Sequence, residues 1–301
     1  MSALGRRWFG ALPEIRPEEG TTVLEPPAEG RGNWVGAPTV AVEGGRFYLG
    51  YRIRTAKERG HEYRVAVSED GVKFEDIWSA RKEQFEANSI ERGSLIRGPD
   101  GAWRLYISYE ERADGRWKID LLEAGSPDGF DPETRVRVID PDPVGAESVK
   151  DPWVGLFGGL YCMFVTFSPR WTNAEHTALA VSHDGREFEW QGEVFGPGET
   201  WDRNQGRITS VVYISPLFVA FYDGRERPEQ STEERAGWAV SLDLLTFDRV
   251  TVKEPAFKSP HGTGSMRYIE ALVLDGELWL YYEWARPDGS HELRLSRARL
   301  P

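Results

Sequence analysis

The sequence predicts an all-β protein: a five-bladed β-propeller of four-stranded antiparallel blades, its ring closed by an N-terminal strand. Three observations lead there. A short phrase recurs at a nearly constant interval, β-type segments fill each interval, and no amphipathic helix of three turns occurs. The phrase is a β-type run, a serine, often an Asp-Gly turn, then an aromatic. It reads AVSEDGVKF at Ser68, EAGSPDGF at Ser126, AVSHDGREF at Ser182, AVSLDLLTF at Ser241 and RLSRARL at Ser296. Those serines are 58, 56, 59 and 55 residues apart, so five units fill most of the 301 positions. Periods of this length mark repeat architectures, and neither a barrel nor a sandwich accounts for one.

Each unit supplies its own elements in order. The first strand is a short apolar run ending near glycine, as in APTVAVEGG, GSLIRGPDG, DPWVGLFGG and IEALVLDGE. The second is aromatic-rich: FYLGYRI, WRLYISY, YCMFVTF, LFVAFYD and LWLYYEW. Alternating β-branched and aromatic residues bounded by Gly, Pro, Asp and Asn read as strands. The Ser-x-Asp-Gly phrase then joins strands three and four as a hairpin. Blades begin near residues 32, 86, 145, 200 and 262 of one domain spanning 1–301. The last unit reaches Pro301 before a fourth strand appears, so Thr21 to Glu25 is expected to supply it. Closure of that kind removes exposed sheet edges.

Composition narrows the partners. Hydrophobic residues make up 40% and charged residues 29%, which suits a folded chain rather than a disordered one. The 37 Lys and Arg against 49 Asp and Glu leave a formal charge of −12. Phosphate backbones and anionic lipid are repelled by such a surface, so neither nucleic acid nor membrane is expected as a partner. No apolar run is long enough for a membrane helix. Met1 to Leu12 carries two arginines with no apolar run behind them, so no signal peptide and a cytoplasmic address are expected. The single cysteine, Cys162, allows no intrachain disulfide and no cysteine zinc cluster. His61, His176, His183, His261 and His291 contain no His-x-x-x-His pair, and no metal site is read from them.

In a propeller the first strand of each blade lines a central channel. Residues entering that strand and leaving the second share one end face. Those positions are polar here: Asn33 and Trp34, Glu91 and Arg92, Lys150 and Asp151, then Asp202, Asn204, Gln205 and Arg207, then Arg267, Tyr268 and Glu270. Arg52, Glu110, Thr166, Asp223 and Glu283 leave the second strands. Acids and arginines crowded into a narrow channel have shifted pKa values, and two carboxylates sharing it can divide into acid and base. Trp34, Trp171, Trp201 and Trp284 flank these loops and offer faces for a sugar ring or for packing between blades. His176 and His261 precede strands facing the channel and are candidate ligand contacts. The charged run from Arg225 to Glu234 reads as a solvated loop or a lid.

DPWVGLFGGLYCMFVTF, with Asp151-Pro152 opening the third blade, resembles the five-bladed propeller glycoside hydrolases of family 43 and relatives in families 32, 68 and 130. The resemblance implies that carboxylates in the channel cleave or transfer glycosidic bonds of a small carbohydrate ligand. In family 43 the first blade offers a general-base aspartate in an Asp-Pro step. The third offers an aspartate that positions substrate and tunes a pKa, and the fourth a general-acid glutamate in a Glu-Gly-Pro step. Asp151 matches the third-blade aspartate. Gly36-Ala37-Pro38 puts Ala37 where the base would be, and Gln205-Gly206-Arg207 puts Gln205 where the acid would be. An alanine takes no proton and an amide gives none usefully.

Three readings stay open. Glu91, Asp202 and Glu270 are candidates for a relocated acid/base pair beside Asp151, with Trp34, Arg52, Arg92, His176, Trp201, Gln205, Arg207, Asp223, His261, Arg267 and Glu283 binding substrate. Alternatively the channel binds a carbohydrate and has lost the chemistry. The third reading is a different enzyme on the scaffold: a phosphorylase, a lyase, or a cyclase acting on a non-sugar substrate. For phosphorolysis, Arg52, Arg92, Arg207 and Arg267 are candidates for an anion site. YRIRTAKERGHEYRVAVSEDGVKF is similar to the family 130 first blade, but that family's Glu-Asp-Pro-Arg step is replaced by Ile90-Glu91-Arg92-Gly93. No cofactor is expected. Some family 43 members hold calcium near a blade-five histidine, and SPHGTGSMRY is faintly similar to that segment, which leaves room for calcium there.

Overall fold

The computed structural model describes residues 13–300, so Met1 to Leu12, on which the signal-peptide expectation falls, lie outside it. Its regular structure is strand, with short 3-10 turns between. In chain order the strands are β1 (Thr21–Leu24), β2 (Trp34–Glu43), β3 (Arg46–Arg54), β4 (Glu62–Ser68) and β5 (Glu75–Arg81). Then come β6 (Ala87–Arg97), β7 (Trp103–Glu111), β8 (Trp117–Ala124) and β9 (Val136–Ile139). β10 (Ala146–Phe157), β11 (Leu160–Pro169), β12 (His176–Ser182) and β13 (Glu189–Phe195) follow. The last are β14 (Arg207–Ile214), β15 (Leu217–Gly224), β16 (Arg235–Ser241), β17 (Asp248–Arg249), β18 (Met266–Leu274), β19 (Glu277–Ala285) and β20 (His291–Arg299).

β6–β9, β10–β13 and β14–β17 each form a four-stranded antiparallel sheet in sequence order. An eight-stranded sheet holds the rest. In it β2–β5 form one antiparallel set, β18–β20 another, and β1 pairs antiparallel with β20. One parallel bridge, Trp34 to His291, joins the two sets. The first strands β2, β6, β10, β14 and β18 each contact the next, and β18 returns to β2. Buried apolar side chains fall into five clusters, each shared by neighbouring sets. Tyr63 and Val65 meet Leu95 and Leu105 in one, while Phe221 meets Ile269 and Leu280 in another. Burying both faces of every sheet in this way makes the fold's hydrophobic stabilisation a sum of similar interfaces.

The recurring phrase has a local physical cause. Ser68 Oγ accepts hydrogen bonds from the backbone N–H of Asp70 and Gly71, and Asp70 Oδ1 accepts from Val72 and Lys73. The same pattern returns at Ser182 with Asp184 and at Ser241 with Asp243. The side chains thus satisfy the turn's backbone donors. After each aspartate the chain takes positive φ, at Gly71, Gly185 and Leu244. Ser126 begins a longer link, which carries a 3-10 turn over Pro132–Thr134 before β9.

Every first strand also carries a register shift one turn into the channel: Gly36/Thr39, Ile90/Gly93, Lys150/Trp153, Ile208/Ser210 and Arg267/Glu270. Bulges re-aim side chains and gather at functional sites. Three of them place a residue with a Cβ at positive φ: Ala37 (53°), Asp151 (52°) and Tyr268 (54°). Ala37 and Asp151, each followed by proline, therefore occupy equivalent positions. Gly36, just before the first of these, is constrained by close approach. A Cβ there would stand 2.1 Å from Glu283 Oε2. Gly36→Ala is expected to destabilise the protein by about 1–3 kcal/mol through overpacking, measured by chemical denaturation; an unchanged midpoint would show that Glu283 can move.

Candidate functional site

Seven of the sequence-predicted residues meet in one buried network where the first strands begin. Arg207 is its hub. Its Nη1 donates to Asp151 Oδ2 at 2.8 Å and to the Tyr268 hydroxyl at 3.1 Å, and its Nη2 donates to Asp223 Oδ2 at 2.7 Å. Asp223 also accepts from the Tyr268 backbone N–H, at 3.0 Å. Arg267 grips Glu283 Oε1 through Nε and Nη2, at 2.9 and 2.7 Å, and reaches Glu234 Oε2 at 2.8 Å. Arg52 donates to the other Glu283 oxygen at 2.9 Å and stands 3.6 Å from Glu91. The Tyr268 hydroxyl links the two halves by donating to Glu91 Oε1 at 3.3 Å.

Above this network lies a cavity of about 320 Å³. Glu91, Arg207 and Arg267 reach it from the predicted set, with Lys150 and Tyr268 from the same strand starts. Arg54, Arg59, Trp117, Glu175, Arg225 and Glu234 complete the charged and aromatic lining. Sequence reasoning singled out none of Arg54, Arg59, Trp117 or Glu175. Arg54 was legible in part, since it follows Arg52 by two residues on β3 and so shares its face. The run from Arg225 to Glu234 is not simply solvated: both end residues are buried, and Arg225 holds Glu234 at 3.4 Å and Glu175 at 3.5 Å.

The electrostatics of the cavity favour ionised carboxylates. Burial alone would raise Glu91, but Arg52, Arg59, Arg267 and Lys150 outweigh it and bring its carboxyl down to about 2. Glu175 is likewise held well below the usual range, burial being overcome by Lys150 (Nζ at 2.8 Å), Arg225 and Arg207. Asp223 goes the other way. It has no exposure, and burial pushes it up to about 6 despite Arg207. Asp151 keeps Oδ1 without a hydrogen-bond partner, and both amide atoms of fully buried Gln205 lack one too.

Glu270 and Arg92 are brought together elsewhere. Arg92 Nη2 donates to Glu270 Oε2 at 2.5 Å, and Trp153 Nε1 donates to Oε1 at 3.1 Å. Glu270 and Trp153 line a second cavity, toward the far ends of the first strands, not the one holding Glu91. Burial lifts the Glu270 carboxyl from 4.5 to about 7, against Arg92. A carboxyl raised on folding binds its proton more tightly in the native state. Its contribution is complete below about pH 4.5 and is lost as pH rises through about 7, up to about 3 kcal/mol. Asp223 adds a loss of the same sign up to about pH 6. Glu270→Gln is expected to flatten the fall in melting temperature between about pH 5 and 7.5; an unaltered slope would assign that fall to Asp223.

The remaining predicted residues lie outside this cavity. Trp34 is sandwiched, with His291 stacked at 4.5 Å and the Arg54 guanidinium 4.4 Å from its ring centre. Trp201 donates to Thr251 O and stacks on Tyr222, while Asp202 holds Arg249 at 2.8 Å and accepts from the Tyr222 hydroxyl. Neither lines the cavity. His176 pairs with Glu193 at 2.9 Å among Phe167 and Trp171. His261 sits in a turn, its N–H bonded to Ser259 Oγ. Among the described residues no cluster of three or more His, Cys, Asp and Glu side chains is arranged to hold a metal ion, and no helix is long and apolar enough to cross a membrane.

No protein-family model and no curated protein matches the sequence. Solved structures do match the fold. A structure described as a glycoside hydrolase superposes with a TM-score of 0.75 at 12% identity, covering 99% of this chain and 96% of that one. A thermostable family-43 glycoside hydrolase gives 0.71 at 18%, covering 92% of each chain. A member of the GH130 family of mannoside phosphorylases, described as containing glycoside hydrolases that target β-1,2 mannosidic linkages in Candida mannan, gives 0.65 at 15% and 97% of each. The chain has the propeller-like fold of family 43 and family 130 glycoside hydrolases.

Proposed function

We propose that the chain is a five-bladed propeller of glycoside hydrolase type that takes a carbohydrate into the cavity above Arg207 and cleaves a glycosidic bond there. On this reading the eight-stranded sheet is two blades joined at the Trp34–His291 bridge, and β1 closes the ring. The observation that carries the reading is Glu91. It stands beside a first-strand bulge, on the cavity wall, ionised and hydrogen-bonded to the Tyr268 hydroxyl. Such a carboxylate suits either attack at an anomeric carbon or activation of a water. On this reading Glu175, the next cavity carboxylate and held ionised by Lys150, Arg225 and Arg207, takes up a proton when bound substrate draws those cations away and then gives it to the leaving oxygen. A cytoplasmic site of action, in keeping with a single cysteine, belongs to the same proposal.

A panel of aryl glycosides and short oligosaccharides tests this, with wild type beside Glu175→Gln. Loss of a proton donor should slow substrates with poor leaving groups far more than activated aryl glycosides. Absence of turnover by folded protein across the panel would sink the hydrolase reading. A binding protein without chemistry is the second reading. Ala37 at the bulge position of Asp151 and the amide of Gln205 favour it. Saturable sugar binding with no bond cleavage would establish it.

A further inference from the structure

The cavity is a cationic patch in an acidic chain. Six of its lining side chains are cationic (Arg54, Arg59, Lys150, Arg207, Arg225 and Arg267) against three carboxylates, while the whole protein carries −12. Most of those cations are already committed. Arg207 holds Asp151 and Asp223, Arg267 holds Glu234 and Glu283, and Arg225 and Lys150 share Glu175. Beyond its contact with the Trp34 ring, the Arg54 side chain makes no ion pair and no hydrogen bond among the described residues. Arg59 has one ion pair among the described residues, with Glu110 at 3.8 Å, and lies over the Trp117 ring.

Arg54 is nevertheless held in place. Its guanidinium lies against the Trp34 ring, which is itself backed by His291. A guanidinium fixed in one plane presents a fork suited to two oxygens of a carboxylate or phosphate. Burial, and after it neighbouring Arg52, pulls Arg54 down to about 10, although Glu91 acts the other way. Just beneath, Arg52 has Nε and Nη1 buried without an acceptor. An arriving anion would lower the cost of all these groups at once.

We infer that the ligand of this cavity is an acidic sugar, its carboxylate or other oxyanion substituent held by Arg54 with Arg59 and Lys150 beside it. The inference rests on the carbohydrate reading of the same cavity and names the substrate class within it. It also has a chemical consequence. An anion offsetting the surrounding cations raises the proton affinity of nearby Glu175, so binding itself would favour the protonated acid that bond cleavage needs.

Binding of D-glucuronate, D-galacturonate and D-glucose 6-phosphate is compared with that of D-glucose, D-galactose and inorganic phosphate, by saturation-transfer NMR and calorimetry. Acidic sugars are expected to bind about tenfold or more tighter than their neutral counterparts, as one charge-assisted contact would give. That advantage should shrink between about 20 mM and 500 mM salt. Arg54→Gln should abolish it, and Arg54→Lys, which keeps the charge and loses the fork, should retain part of it. The two carboxylate sugars and the phosphate ester separate the possible oxyanions. Equal binding of acidic and neutral sugars, indifferent to Arg54→Gln, would overturn the acidic class and leave the carbohydrate reading standing. Inorganic phosphate binding with no added affinity from a sugar would also overturn it, in favour of free phosphate. If no sugar binds, both readings fall together.

Discussion

Arg207→Met is expected to lower the melting temperature by about 10 °C at pH 8, corresponding to roughly 3–5 kcal/mol. The guanidinium is the shared partner of Asp151 and Asp223, and all three side chains are essentially without exposure. Removing it leaves Asp223 in a low-dielectric interior with no ion-pair partner and Asp151 with only Lys150, at 4.0 Å, which costs more than the original pairs contributed. The pH dependence identifies the cause. Carboxylates without a cation acquire raised pKa values, so the variant regains stability as pH falls and they protonate. Asp223 already sits at about 6 with Arg207 present. The gap between variant and wild type should therefore narrow from pH 8 to about pH 5. Melting curves at the two pH values check it. A gap that is small, or equal at both, would mean that the network does not hold the channel mouth together.

Glu91→Gln is expected to reduce turnover by about three orders of magnitude and, because it removes a carboxylate that Arg52, Arg59, Arg267 and Lys150 hold ionised, also to lower the melting temperature at neutral pH. The amide oxygen can still accept from the Tyr268 hydroxyl, and Arg52 keeps Glu283 at 2.9 Å. What disappears is the negative charge facing the cavity. Because that carboxyl lies at about 2, wild-type kcat/KM should show no acid limb from Glu91 above about pH 3. Steady-state kinetics on whichever glycoside the panel identifies provide both readouts. Retained activity in the variant, or an acid limb near pH 5 to 6, would assign the essential carboxylate to another residue.

Local chemistry made most of the fold legible. The Ser-x-Asp-Gly phrase repeats because its side chains satisfy a turn of fixed geometry, and its spacing located the third and fourth strands. Aromatic runs located the second strands, since large flat side chains fill the layers between neighbouring sheets. Thr21–Leu24 could be assigned to the last strand because the final unit ran out of chain. The first-strand starts also pointed to Glu91, Asp151, Arg207 and Arg267, and the second-strand ends to Arg52, Asp223 and Glu283, all of which the structure gathers into one network.

Other parts of the site depend on which side chain wins a contact between segments far apart in sequence. Trp34 and Trp201 looked like sugar platforms, yet His291 and Tyr222 already cover their faces. Glu270 has the polar character of a channel acid, but it lies past the register shift that follows Arg267, on the side of the other cavity, where Arg92 and Trp153 hold it. Glu175 belongs to the site because a bridge to Gln205 and the reach of Lys150 bring it there, neither of which a local pattern encodes. Strands and turns were readable from the letters because they follow from periodicity and short-range hydrogen bonding. Which charges meet was not, because the pairing of buried ions depends on ångström-scale distances between different sheets, and those exist only once the chain has folded.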